Sequence, residues 1–126
     1  MSEISKRTDK LLIVEPDEQT GQILFEFLDS SYDCEVVKNG GEAFRLLTRE
    51  SFSVVLSNFD LSTTEASNFI STVKSLSPHT AIILICEHIS ADDAIKSFRA
   101  GATDFVQKPF KLEEVETSVN KGFSQY

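Results

Sequence analysis

Four apolar runs of strand length and a brief fifth, each separated from the next by a stretch with helical spacing, do most to limit what this chain can become. The runs are Lys10–Val14 (KLLIV), Cys34–Val37 (CEVV), Val54–Leu56 within the longer stretch Phe52–Ser62 (FSVVLSNFDLS), Ala81–Cys86 (AIILIC) and Asp104–Val106. Runs of four to six apolar residues bounded by breakers read as strands, and each here ends at such a signal: Glu15-Pro16-Asp17, Asn39-Gly40-Gly41, Ser57-Asn58, Glu87 and Lys108-Pro109.

The intervening segments carry the helical period. Asp17 is placed as an N-cap, followed by Thr20, Ile23, Leu24, Phe27 and Leu28, until Asp29-Ser30-Ser31 breaks the pattern. Gly40-Gly41 is a turn feeding a helix with Ala43, Phe44, Leu46 and Leu47, to about Glu50; it lacks the spacing of a phosphate-binding loop. Phe69, Ile70, Val73 and Leu76 mark a helix from about Thr64 to Ser77, which Pro78 closes. Ser90 caps a helix through Ala100 with Ala91, Ala94, Ile95 and Phe98 inward and Gly101 as its stop, and Leu112, Val115, Val119 and Phe123 share one face of the last helix.

Strands that are apolar throughout must be covered on both sides, so the pattern predicts a mainly parallel sheet between two helix layers. Right-handed crossovers and five strand–helix units point to a three-layer, doubly wound, flavodoxin-like α/β fold with strand order 2-1-3-4-5. In such sheets the functional crevice lies beyond the carboxyl ends of the strands, beside the order reversal. That rule brings together Glu15, Pro16, Asp17, Asn58, Phe59, Asp60, Cys86, Glu87 and Lys108.

Bulk properties narrow the function. At 126 residues with 40% hydrophobic side chains, the chain has the size and apolar content of one core. The expected organisation is a flexible tail over 1–9 and one domain over 10–124. No apolar tract reaches the ~18 residues of a membrane span, and MSEISKRTDK lacks the core of a signal peptide, so a cytoplasmic protein is expected. A net charge of −8 without a Lys/Arg run gives a nucleic-acid surface little footing. Cys34 and Cys86 read as buried small hydrophobes, not a disulfide. His79 and His88 read as solvated loop residues without zinc-ligand spacing.

Taken together, LLIVEPDE, VVLSNFDLS, AIILIC and above all FRAGATDFVQKPF resemble the landmarks of response-regulator receiver domains, the CheY-like family, over roughly Lys10 to Phe123. Receiver domains are themselves an instance of that strand order. The resemblance implies phosphoryl transfer to an aspartate at the end of the third strand, assisted by a cation on neighbouring acids and by a lysine, in a two-component or phosphorelay pathway of bacterial type.

Residue by residue, that implication fails at three positions. The acceptor position falls on Asn58, whose amide has no anionic oxygen. The two acids after the first strand fall on Glu15 and Pro16. The hydroxyl switch position falls on Cys86, whose thiol is a weak donor. The loop proline and glycine are replaced too, by Ser62 and by Thr63 and Ala66. Lys108 and Phe105 match the family lysine and aromatic, and Lys108 is expected to contact Asn58 or pair with Glu15 or Asp60. An engineered acceptor substitution would explain Asn58 but not Pro16 or Cys86.

The reading is therefore a pseudo-receiver without catalytic residues, cofactor or metal, a regulatory module acting through protein contacts. The resemblance suggests the face of helix 4, strand 5 and helix 5, here Lys96, Arg99, Asp104, Phe105, Lys111, Glu113 and Glu114, for an output domain, a partner protein or a homodimer. Two alternatives stay open: an unorthodox acceptor, Asp60, with magnesium on Glu15, Asp17 and Asp60; and a small-molecule sensor using the less acidic crevice.

Overall fold

Each apolar run becomes a strand because its neighbours in space are apolar runs as well. The computed structural model of the chain describes residues 10–58, 63–87 and 89–124. Its elements alternate: β1 (Lys10–Val14), α1 (Glu18–Leu28), β2 (Asp33–Val37), α2 (Gly40–Leu47), β3 (Val54–Asn58), α3 (Thr63–Leu76), β4 (Ala81–Cys86), α4 (Ala91–Ala100), β5 (Asp104–Gln107) and α5 (Leu112–Phe123). The strands form one parallel sheet in the order β2-β1-β3-β4-β5. This is the flavodoxin-like arrangement expected from the sequence, with the order reversal between β1 and β3.

Alternation along the strands sorts the core into two layers. Leu11, Ile13, Val54, Leu56, Ile83 and Ile85 face one side, where Leu24 and Leu28 of α1 and Val115, Val119 and Phe123 of α5 cover them. Leu12, Val14, Val55, Ile82 and Leu84 face the other, beneath Ala43 and Leu47 of α2 and Phe69, Ile70 and Val73 of α3. Tyr32 stacks on Phe123 with ring centroids 4.4 Å apart, and its hydroxyl bonds Asn120. Gly122 lets α5 approach the sheet closely, since a Cβ there would meet Val54 Cγ2 at 3.1 Å and Ala81 Cβ at 3.3 Å. At the end of α4, Gly101 has φ 124°, a conformation that favours glycine.

Several expectations need correction. Burial on both sides holds for β1, β3 and β4, but β2 is an edge strand with Asp33, Glu35 and Val36 exposed. Ile23 of α1 is 54% exposed: Gly21, Leu24 and Leu28 make the buried stripe, and Ile23 lies off it. In α4 the expected inward set fails at Ala91, Ile95 and Phe98, all exposed, because the helix packs against α3 and buries Ser97. Phe98 instead meets the ring of Phe105 edge-on, with centroids 4.9 Å apart. The second helix starts at Gly40, capped by the Asn39 side chain on Glu42 N, and ends at Leu47. The expected tail over 1–9, Phe59, Asp60, Ser62 and His88 lie outside the described residues.

Candidate functional site at the carboxyl ends of the strands

Parallel register brings the ends of β1 and β3 side by side, Val14 opposite Ser57, so that Glu15 and Asn58 meet. Glu15 directly follows β1, is 2% exposed, and is anchored by its backbone N–H donating to Val37 O at 2.9 Å. Its carboxylate accepts twice: Oε1 from Asn58 Nδ2 at 2.8 Å and Oε2 from the backbone N–H of Asp17 at 2.9 Å. The first contact orients the Asn58 amide, because the reversed group would set two acceptors against each other. The other end, Asn58 Oδ1, is buried and has no hydrogen-bonding partner among the described residues.

Asp17 does local work. Its Oδ2 accepts from Thr20 N at 2.9 Å and from the Thr20 hydroxyl at 2.6 Å, capping α1. The Thr20 hydroxyl first, then the Thr20 amide, hold the Asp17 carboxyl below its ordinary range. Between these residues stands Pro16, with no N–H and no side-chain ligand atom.

A cavity of about 670 Å³ opens above this corner. Glu15, Pro16, Asp17, Asn58, Glu87 and Lys108 line it, whereas Cys86, grouped with them from the sequence, does not. Cys86 is buried at the end of β4, and its carbonyl accepts from Lys108 N at 2.8 Å, which ties the lysine's backbone to the crevice. Thr20, Pro109 and Phe110 also line the cavity and were not singled out beforehand. Thr20 was readable as the residue three after the cap, and Pro109-Phe110 as the continuation of the lysine motif. Among the described residues, no group of three or more His, Cys, Asp or Glu side chains is placed to hold a metal ion.

A second cavity, of about 390 Å³, lies on the α2–α3 side of the same strand ends. Ser57, Asn58 and Pro16 border it together with Val14, Phe44 and Phe69. Ser57 was missed as a functional candidate; its signal is a hydroxyl in a strand whose three preceding residues are apolar.

On the α4–β5–α5 face, Lys96, Arg99, Lys111, Glu113 and Glu114 are exposed, while Asp104 and Phe105 are half-buried. Four of the seven make contacts within the domain. Phe105 meets Phe98, Asp104 Oδ2 accepts from Ser118 Oγ at 2.9 Å and from Lys121 Nζ at 3.4 Å, and Glu114 Oε1 accepts from the backbone N–H of Lys111 at 2.9 Å at the start of α5. His79 is exposed in the turn before β4, and Cys34 and Cys86 form no disulfide. No helix among the described residues is long and apolar enough to cross a membrane.

Residues 11–120 match the family described as the response regulator receiver domain, and the chain belongs to that family, the signalling modules of two-component response regulators. It is 31% identical over 107 residues to transcription factor prr1 of Schizosaccharomyces pombe, covering 83% of this chain and 20% of that protein. It is 27% identical over 103 residues to response regulator protein FleR of Pseudomonas aeruginosa, covering 81% of this chain and 22% of that one. The chain thus spans about a fifth of the length of these relatives. Among solved structures, a response regulator from Thermotoga maritima superposes with a TM-score of 0.84 at 27% identity, over 94% of this chain and 99% of that chain. Chemotaxis protein CheY4 of Vibrio cholerae shares the fold with a TM-score of 0.81 at 22% identity, over 91% and 98% of the two chains.

Proposed function

We propose that this receiver domain signals without phosphorylation, as a protein-interaction module with no enzymatic step of its own. The observation that carries the reading is the Asn58–Glu15 hydrogen bond of 2.8 Å at the end of β3. A carboxylate at this position would be the nucleophile; an amide has its nitrogen lone pair delocalised and offers no anionic oxygen to phosphorus. The amide also replaces a like-charge contact with Glu15 by an attractive one, so the corner holds together without a cation.

The same geometry argues against a resident magnesium ion. Such an ion asks for near-octahedral oxygen ligands at about 2.0–2.1 Å. Pro16 supplies none, Asn58 turns its –NH₂ towards Glu15, and the Asp17 carboxylate caps α1. With no phosphoryl group to load, information passes through surfaces. The α4–β5–α5 face, with exposed Lys96, Arg99, Lys111 and Glu113 of mixed sign, suits a protein partner, an output domain or a second copy, and the net charge of −8 disfavours nucleic acid.

Intact-mass and heteronuclear NMR measurements on one sample test the reading, first with Mg²⁺ and acetyl phosphate, then with Mg²⁺ and beryllofluoride. Unchanged mass and unchanged amide shifts are expected. A gain of one phosphoryl group, or beryllofluoride-dependent shifts centred on Asn58, Cys86 and Phe105, would overturn it and direct attention to Asp60 as the acceptor.

A further inference from the structure

We propose that the cavity between the carboxyl ends of β1 and β3 and helices α2 and α3 binds a small, flat, uncharged aromatic molecule that carries an N–H or O–H donor. The inference goes beyond the signalling reading: it shares Asn58 and its bond to Glu15 with that reading and adds the α2–α3 side of β3, where Ser57, Phe44 and Phe69 complete a different cavity.

Three observations carry it. The cavity, at about 390 Å³, falls within the range of about 300–1,000 Å³ typical of small-molecule sites. Its walls are apolar and aromatic: Val14, Phe44 and Phe69 contribute, and the two rings stand 5.5 Å apart, tilted by 32°. Two of its lining side chains carry unpaired polar atoms. Ser57 is 0% exposed and lines the cavity, yet its hydroxyl has no hydrogen-bonding partner among the described residues; Asn58, which also lines it, has Oδ1 in the same condition.

Buried polar groups in folded proteins are almost always paired, so two unpaired atoms on neighbouring residues lining one cavity are out of keeping with a packing defect. The Asn58 amide nitrogen is committed to Glu15, which leaves its oxygen to accept. The Ser57 hydroxyl both donates and accepts. A ligand therefore satisfies both atoms with a donor for Asn58 and either kind of group for Ser57. The ionised side chains that border the cavity, Lys38 and Glu65, are both exposed and opposite in sign, so no buried lining charge compensates a ligand charge of either sign. The rings favour a flat aromatic body.

The test titrates the ¹⁵N-labelled chain with matched probes that differ only in the donor: phenol against anisole, and indole against 1-methylindole. Saturable shifts centred on Ser57, Asn58, Phe44 and Phe69 are expected, with each donor-bearing probe bound about tenfold more tightly than its methylated partner. Benzoate is expected to bind more weakly than phenol. Equal binding within both pairs would overturn the proposal, leaving an apolar void; so would shifts centred elsewhere, or the absence of saturable shifts for all probes up to their solubility limits. Because the comparison is made on the unaltered chain, no variant has to fold for the proposal to fail.

Discussion

The two ends of the sheet treat buried polar groups in opposite ways. At the amino ends of β3 and β4, Thr80 is 1% exposed, and its hydroxyl donates to Phe52 O at 2.7 Å and contacts the Ser77 hydroxyl. Lys74 Nζ donates to Thr80 O at 2.6 Å, and Thr103 Oγ1 accepts from Ile82 N at 3.1 Å. At the carboxyl end of β3, Ser57 Oγ and Asn58 Oδ1 are buried without such partners among the described residues. One end closes the domain; the other holds unspent hydrogen-bonding capacity next to two cavities. In doubly wound sheets the functional crevice lies beyond the carboxyl ends of the strands, the end at which these two atoms sit.

The sharpest way to break the comparison is to place an acid at position 58. Asn58→Asp removes the donor to Glu15 and sets a second carboxylate against one that is 2% exposed. In metal-free buffer at neutral pH, urea unfolding is expected to show a loss of about 2–4 kcal/mol, the size of a close like-charge contact near a protein surface. The introduced carboxyl takes a folded pKa above its unfolded value. The variant's deficit therefore narrows below the unfolded pKa and widens as pH rises through the folded one. A variant as stable as the parent at pH 7 would show that the Asn58–Glu15 contact does not organise the corner.

At the opposite end, Thr80→Val keeps the shape but deletes the hydroxyl and leaves Phe52 O short of its donor. About 1–3 kcal/mol of stability should be lost, measured as a shift in urea midpoint at constant m value. A smaller change at Asp17 follows from charge alone. Because the Thr20 hydroxyl and amide depress its pKa, Asp17 contributes stability above the unfolded carboxylate value that disappears as pH falls through the folded value. Asp17→Asn keeps an acceptor for the cap and removes that acid-side dependence. Thr20→Val should raise the Asp17 pKa towards its ordinary value, read directly by NMR titration of the side-chain carboxyl.

Much of this was legible in the chain, and the parts that were not have physical reasons. KLLIV, VVLSN and AIILIC declared buried parallel strands because a fully apolar run has no face to give to water, and crossover handedness then left few orders. The meeting of Glu15, Pro16, Asp17, Asn58, Glu87 and Lys108 followed from strand order alone. What strand order does not carry is the direction of a side-chain amide: Asn58 and Glu15 are 43 residues apart, and only the fold shows which end of the amide faces the acid. The inward assignment of Ile95 and Phe98 went astray because helical spacing reports an apolar stripe without saying what covers it. Here α4 packs on α3, and Phe98 closes over Phe105. Ser57 was read as the place where an apolar run stops, when it is the last buried residue of the strand.

Ser57→Ala carries the smallest expected change in stability and separates the two ends most directly. Removing a buried hydroxyl ordinarily costs free energy because a partner is stranded, as at Thr80. Ser57 Oγ strands none, so its deletion removes only an unpaired polar group from an apolar setting and should leave the urea midpoint unchanged or slightly raised, within about 0.5 kcal/mol. The same variant should narrow the preference of the cavity for phenol over anisole, since one of the two proposed polar contacts is gone. A loss of stability comparable to that of Thr80→Val would mean that the hydroxyl is engaged in the folded chain after all, and the contrast between the two ends of the sheet would fall with it.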